Sequence, residues 1–308
     1  MSKRRVVITG GSGLLALNWA CAIREHWDVI LGTHRHSVEL AGTTSYMLNL
    51  DDPVRLASQF EQLAPDVVVH TAGLTNVDRC QEFPVLARQA NSEIARNVAQ
   101  VVSCSNTTLI HISTDHLFAG EHSLYREDAI PQPLNEYGRS KLLAEEWVQQ
   151  ACPRALIVRT NFFGWGHVRR QSFSDWIIYN LRAGNPLTLF DNVHFTPILA
   201  DSLALAAHEL AALGASGIVN LVGDERLSKY EFAQRLAGCF ELPAELIRRD
   251  QMTRTSLRAR RPRDMSLSNA KARQMLGRRL GSADEHLAAL YSQEIQKRPL
   301  ELLHSTPE

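Results

Sequence analysis

The chain has 308 residues, 44% hydrophobic and 21% charged, and its 33 basic side chains equal its 33 acidic ones. That composition suits a protein with a sizeable core in one large or two interleaved domains, and the zero net charge excludes a global field for nucleic acid or an anionic membrane. Five scattered cysteines, Cys21, Cys80, Cys104, Cys152 and Cys239, never form a C-x-x-C pair, which argues against a disulfide framework or zinc site and for buried, reduced thiols in the cytoplasm.

The N-terminal basic residues precede an apolar run that breaks at Thr9-Gly10-Gly11, too short for a signal peptide or membrane span. That run opens a series of β-branched stretches, 6–9, 29–33, 67–70, 108–112 and 155–159, expected as strands buried on both faces. Between them, 14–26, 53–63, 84–103 and 140–150 carry helical spacing. The alternation predicts an α/β fold, a Rossmann-type doubly wound parallel sheet with a smaller, discontinuous C-terminal substrate-binding lobe. Residues 1–162, with a returning segment near 192–220, are assigned to the dinucleotide-binding domain, and 163–191 with 221–308 to the lobe.

Gly10-Gly11-Ser12-Gly13-Leu14-Leu15-Ala16 follows the first strand and opens the first helix. Gly10 permits a tight turn, Gly13 lets the backbone approach a pyrophosphate, and Ala16 keeps helix and strand close. Gly10, Ser12, Gly13, Leu14 and Leu15 are therefore candidate cofactor contacts. After the second strand stands Gly32-Thr33-His34-Arg35-His36 where an NAD site places a carboxylate. A guanidinium at Arg35 suits a 2′-phosphate, so NADPH is expected, with NADH as the second option.

Tyr137 and Lys141 stand four residues apart at the start of a helical stretch and share a face, where the ammonium favours the phenolate. Upstream, Ile112-Ser113-Thr114-Asp115 ends a strand with two hydroxyls at the edge where such folds bind ligands. Twelve histidines invite a metal reading. His34 and His36 flank a loop, however, and His70 and His111 lie on strands without carboxylate or thiol at ligand spacing, so core or surface roles are expected.

With Pro65–Asp78, Ile112–Phe118, Val158-Arg159-Thr160 and Arg261-Pro262-Arg263, these motifs make the chain resemble the extended short-chain dehydrogenase/reductase family, most closely its dTDP-4-dehydrorhamnose reductase branch. The resemblance implies that Tyr137 protonates a carbonyl oxygen, Lys141 tunes it and Thr114 orients the carbonyl. It further implies that Ala72, Gly73 and Thr75 lie along the cofactor, Asn49 and Leu50 form the adenine pocket, and Val77, His116, Asn161, Phe162 and Arg261 meet the substrate. Arg258, Arg261 and Arg263 in the stretch 254–263 are read as a diphosphate clamp, Asp78 as a helix N-cap, and Asn91 as a structural hydrogen-bonding residue beside the site. Phe162, Phe163 and Trp165 are placed equally between sugar stacking and the core.

The chain departs from the branch's usual pattern at His116 and around Asn161-Phe162. Asn18 stands where a metal-binding glutamate would lie, so no metal is expected. The implied activity is NADPH-dependent reduction of the 4-keto group of a nucleotide-linked 6-deoxyhexose in deoxysugar or polysaccharide biosynthesis. The partner is thus a nucleotide-sugar substrate, neither nucleic acid nor membrane, with a homodimer left open. A cofactor-bound regulatory subunit like that of methionine adenosyltransferase, and an NAD-retaining epimerase or dehydratase, are the alternatives.

Overall fold

The computed structural model describes residues 3–34, 37–167, 170–253 and 258–305. Six parallel strands come first: β1 (Arg4–Thr9), β2 (Trp27–Thr33), β3 (Thr43–Met47), β4 (Val67–His70), β5 (Thr108–Ile112) and β6 (Leu156–Arg159). Four two- to four-residue strands follow, β7 (Phe162–Phe163), β8 (Leu187–Phe190), β9 (His194–Phe195) and β10 (Ile198–Leu199), before β11 (Gly217–Asn220) returns to the sheet beside β6. The seven strands lie in the order β11-β6-β5-β4-β1-β2-β3. The chain reverses direction of winding between β1 and β4, and ligands of such sheets bind outside the carboxyl ends at that point.

Helices cover both faces. On one, α1 (Leu14–Ile23) packs with α8 (Ala200–Ala212) over a core that includes Val6, Ile8, Ile110 and Val158. On the other, α2 (Pro53–Leu63), α5 (Ile94–Ser103) and α6 (Glu136–Ala151) close over Val7, Val68, Leu109 and Ile157. The strand residues alternate between these two cores, which is why β1, β4, β5 and β6 read as unbroken apolar runs. Two short helices, α3 (Val77–Glu82) and α4 (Pro84–Arg88), lead into α5, while α7 (Phe173–Arg182), α9 (Lys229–Cys239), α10 (Ala270–Leu276), α11 (Ala283–Ile295) and α12 (Arg298–His304) build the C-terminal part. β12 (Leu227–Ser228) pairs with β9, and β13 (Ile247–Asp250) with β8. Among the described residues no helix is long and apolar enough to cross a membrane.

The expected helix 84–103 is interrupted: a π-helical turn, Gln89–Glu93, joins α4 to α5. Such turns widen a helix and push a side chain out of the regular stripe, here Asn91. The expected helix 14–26 stops at Ile23, since Trp27 already starts β2. All five cysteines are free, but Cys104 is exposed and Cys239 half-buried, so burial holds only for Cys21, Cys80 and Cys152.

Candidate active site

The first glycine loop turns at Gly10, whose φ of +70° is left-handed, and Gly13 N–H closes the turn on the Gly10 carbonyl at 2.8 Å. A Cβ at Gly10 would sit 2.8 Å from Ala72 Cα, so only glycine lets β1 and the β4 end approach this closely. Gly13 caps α1 without a side-chain hydrogen bond, which leaves the first N–H groups of the helix directed at whatever lies in front of them. Gly13, Leu14, Leu15, Ala72 and Gly73 line a cavity of about 350 Å³ at the carboxyl edge of the sheet.

Gly10 and Ser12 form the turn but are not among the residues lining that cavity. Asn49 and Leu50 follow β3, also apart from it: Asn49 N–H donates to Gln59 Oε1 at 3.0 Å, and the Leu50 carbonyl accepts from Asn97 at 3.1 Å. Arg35 and His36 lie outside the described residues.

Asn135 starts α6, its Oδ1 accepting from Gly138 N–H at 2.9 Å. Tyr137 and Lys141, one turn apart, then enter the cavity together. Burial pushes the Tyr137 phenol up to about 12 against the nearby Thr114 hydroxyl, and pushes the Lys141 ammonium down to about 8 against the opposing charge of Glu145. Lys141 donates to the Ile112 carbonyl at 2.7 Å, which pins it to the end of β5.

The two hydroxyls after β5 divide. Ser113 Oγ donates to Glu145 at 2.5 Å, whereas Thr114 Oγ1 donates to Asp115 and accepts from His116 N–H, both at 3.3 Å, and lines the Tyr137 cavity. Glu145 is itself bound by Arg159 at 2.7 Å, both side chains 2% exposed. This buried pair, which sequence reasoning missed, ties α6 to β6 beside Ser113 and one turn beyond Lys141. Asn91 is structural, as read: its Oδ1 accepts from Leu74 N–H at 2.6 Å and its Nδ2 donates to Ser140 Oγ at 2.9 Å.

Farther along the same cavity come Thr75, Val77, His116, Asn161 and Phe162, as expected from the sequence, and also Asp115, Thr160, Arg170 and Phe173, which were not singled out. His116 stands edge-on to Tyr137, ring centroids 5.5 Å apart, with its pKa lowered by burial and its Nδ1 without a partner. Asn161 Nδ2 donates to the Asp115 carboxylate. Phe163 and Trp165 fill the core, so of the three aromatic candidates Phe162 alone reaches the cavity. Phe173 follows Ser172, which caps α7 reciprocally with Asp175. That capping box was readable in the sequence and would have placed Phe173 at the helix start.

A second cavity of about 250 Å³ is bounded by Gly120, Met252, Arg260, Arg261 and Arg263, among others. Arg261 therefore borders this cavity and not the one holding Tyr137. Its guanidinium is gripped by Asp78 at 2.8 and 3.1 Å and by the Ala259 carbonyl at 2.8 Å. Asp78 is thus an arginine anchor; the N-cap of α3 is Asn76, whose Oδ1 accepts from Arg79 N–H at 2.9 Å. Arg258 is turned outward toward Glu82 at 3.7 Å, and Arg254 lies outside the described residues. His70 and His111 stack in the sheet core at 5.4 Å, His70 sharing a 2.7 Å hydrogen bond with Thr9, so both are core residues.

Residues 4–295 match the family described as RmlD substrate binding domain. The chain belongs to that family. Within it and around it, the chain is 28% identical over 287 residues to "Probable low-salt glycan biosynthesis reductase Agl14" of Haloferax volcanii, covering 92% of this chain and 96% of that one. It is 30% identical to methionine adenosyltransferase 2 subunit beta of Xenopus laevis, over 80% of this chain and 75% of the relative. The crystal structure of a hypothetical dTDP-4-dehydrorhamnose reductase from Sulfolobus tokodaii superposes with a TM-score of 0.78 at 33% identity, covering 90% of this chain and 97% of that one. The RmlD-like chain thus has the extended short-chain dehydrogenase/reductase fold, with the glycine loop, Thr114, Tyr137 and Lys141 at the sheet edge.

Proposed function

We propose that this protein reduces the 4-keto group of a nucleotide-linked 6-deoxyhexose with NADPH. The observation that carries the reading is the convergence of Thr114, Tyr137 and Lys141 in one cavity with the free N-terminus of α1. The residues fit a nicotinamide dinucleotide: glycine at 10 and 13 leaves the backbone bare, and a Cβ at Gly73 would lie 2.7 Å from Asn91 Oδ1, so the strip Ala72-Gly73 is flat. When bound, the reduced nicotinamide supplies hydride to the carbonyl carbon.

The chain's own residues supply the rest. Thr114 Oγ1 hydrogen-bonds the carbonyl oxygen, and Tyr137 gives that oxygen its phenolic proton as charge develops there. Tyr137 holds its proton throughout the neutral range, since its pKa is pushed up to about 12. The Lys141 ammonium stabilises the phenolate left behind. Arg260 and Arg263 border the second cavity and suit the diphosphate, with Arg261 held in place by Asp78.

As pH rises through about 8, Lys141 discharges and that stabilisation is lost. The pH profile of kcat/KM is therefore expected to carry an alkaline limb near pH 8, while Tyr137 remains protonated; a flat profile to pH 10 contradicts the role of Lys141.

Arg35 is proposed as the 2′-phosphate ligand from its place just beyond β2. Arg35→Ala should raise the Kd for NADPH about tenfold or more and leave that for NADH within about twofold. Titration of both cofactors into the two proteins checks this, and unchanged NADPH affinity contradicts it.

The function is tested by adding 4-keto-6-deoxyhexose nucleotides to the protein with NADPH, following absorbance and identifying the product by NMR. A second reading rests on the similarity to methionine adenosyltransferase 2 subunit beta: a cofactor-bound regulatory subunit. Co-purification with a larger enzyme and no turnover of any ketosugar would favour it; tightly held NAD without net oxidation would favour an epimerase or dehydratase.

A further inference from the structure

Asn135 is fully buried at the start of α6, and its side chain holds two distant parts of the chain at once. Its Oδ1 accepts from Gly138 N–H at 2.9 Å and so caps the helix that carries Tyr137. Its Nδ2 donates to the Arg260 carbonyl at 2.8 Å, across 125 residues. A cap needs only the acceptor. Because acceptor and donor share one planar amide, the helix start and the Arg260 backbone are fixed relative to each other.

The residues on either side of Arg260 are tied as well. Asp78 Oδ1 accepts from Ala259 N–H at 3.0 Å, and the same carboxylate grips the Arg261 guanidinium. The helix that bears Asp78 is joined in turn to α6, since Glu136 N–H donates to Gln81 Oε1 at 3.2 Å. Helix α3, the start of α6 and residues 259–261 thus close a ring of hydrogen bonds. The Arg260 side chain leaves this ring exposed, borders the second cavity, and has neither ion pair nor hydrogen bond among the described residues. Its neighbours Arg258 and Arg261 are paired with Glu82 and Asp78. A guanidinium on a fixed backbone, without a carboxylate partner, suits a phosphate.

The ring also stands between the two cavities. Val77 lines the one with Tyr137, while the next residue, Asp78, holds the loop that borders the second. Leu134 lines the second cavity and Tyr137 the first, with Asn135 between them in the chain. We propose that Asn135 is a positioning residue: it holds Arg260, as a ligand of the sugar nucleotide's diphosphate, in register with the proton donor Tyr137. Binding of the phosphates then helps to set the ketone against the acid, so that remote parts of the substrate orient the reacting centre. The inference rests on the reading of the second cavity as the diphosphate site.

Asn135→Ser separates the two bonds. Serine caps a helix about as well as asparagine, but its single short hydroxyl leaves the Arg260 carbonyl without the amide donor. The Kd values of dTDP and UDP are measured on the NADP⁺-loaded protein for the parent, Asn135→Ser, Arg260→Ala and the double variant. Each single variant should raise Kd by about tenfold or more, Asn135→Ser by lowering the share of molecules with Arg260 in place. The double variant should bind no more than about twofold more weakly than Arg260→Ala, because Asn135 acts through Arg260. In Asn135→Ser the KM for a ketosugar nucleotide should rise in parallel, with kcat and the Kd for NADPH within about threefold of the parent. Asn135→Asp, which keeps the length and the cap but has no donor, should show the same loss, and Tm reports that each variant is folded.

Diphosphate affinity equal to the parent's in both Asn135 variants overturns the proposal, and so does a loss that adds in full to that of Arg260→Ala. A parent that binds neither diphosphate overturns it together with the reading of the second cavity. The expected losses without turnover of any ketosugar contradict the reduction reading alone. Turnover by the parent with unchanged diphosphate affinity and KM in the Asn135 variants contradicts the inference alone.

Discussion

Tyr137→Phe is expected to lower kcat for ketosugar reduction by about 10²–10⁴-fold, the range a positioned general acid contributes. The substitution removes one oxygen and leaves the ring, which packs with Cys80, Ala87 and the edge of His116. Affinity for NADPH should therefore change by no more than about threefold, and Tm should stay close to that of the parent. Steady-state kinetics and cofactor titration on the same preparations check both parts. A variant that retains its rate shows that another group delivers the proton. His116 is the neighbour to suspect in that event, yet burial lowers its pKa and disfavours the charged form that would donate.

Glu145→Ala is expected to cost about 3–5 kcal/mol of stability, the range for removing one partner of a buried ion pair, and to lower Tm by on the order of 5–10 °C. Arg159 donates to Glu145 through Nε at 3.0 Å and Nη2 at 2.7 Å, and both side chains are buried. Without the carboxylate the guanidinium is stranded, and Ser113 loses its 2.5 Å acceptor. Activity should fall too, because Glu145 raises the pKa of Lys141 and its removal lowers the charged fraction of that residue at neutral pH. Replacing both partners by apolar residues, Glu145→Leu with Arg159→Met, should recover more than half of the lost stability, since no buried charge then remains. Thermal unfolding of the parent, the single and the double variant measures this. A single variant as stable as the parent would show that the pair is not needed to hold α6 against β6.

Much of the fold was legible because β1, β4, β5 and β6 are buried on both faces and alternate with helices. β3 and β11 were missed for physical reasons. β3 is an edge strand, Thr-Thr-Ser-Tyr-Met, largely exposed, so it has no apolar run to find. β11 offers only Ile218 and Val219 between polar neighbours, and Gly217 enters it with a φ of +72°; its place is fixed by the parallel ladder with β6.

At the site, the residues with local spacing signals were readable: the glycine loop, and Tyr137 with Lys141 one helical turn apart. Partners distant in sequence were not. Glu145 meets Arg159 across two elements, and Asp78 meets Arg261 across 183 residues. No periodicity encodes such pairs. Arg261 was assigned to the substrate's diphosphate from its motif and its planar guanidinium; it borders the second cavity, and the Asp78 carboxylate that holds it was not foreseen.

The central claim is net hydride transfer from NADPH to a sugar ketone. The most direct measurement uses NADPH deuterated at both C4 positions of its nicotinamide, with a 4-keto-6-deoxyhexose nucleotide and mass and NMR analysis of the sugar. The account predicts one deuterium on the former carbonyl carbon and one NADP⁺ released for each sugar reduced. A sugar without deuterium, or one altered with no net oxidation of the cofactor, would contradict it.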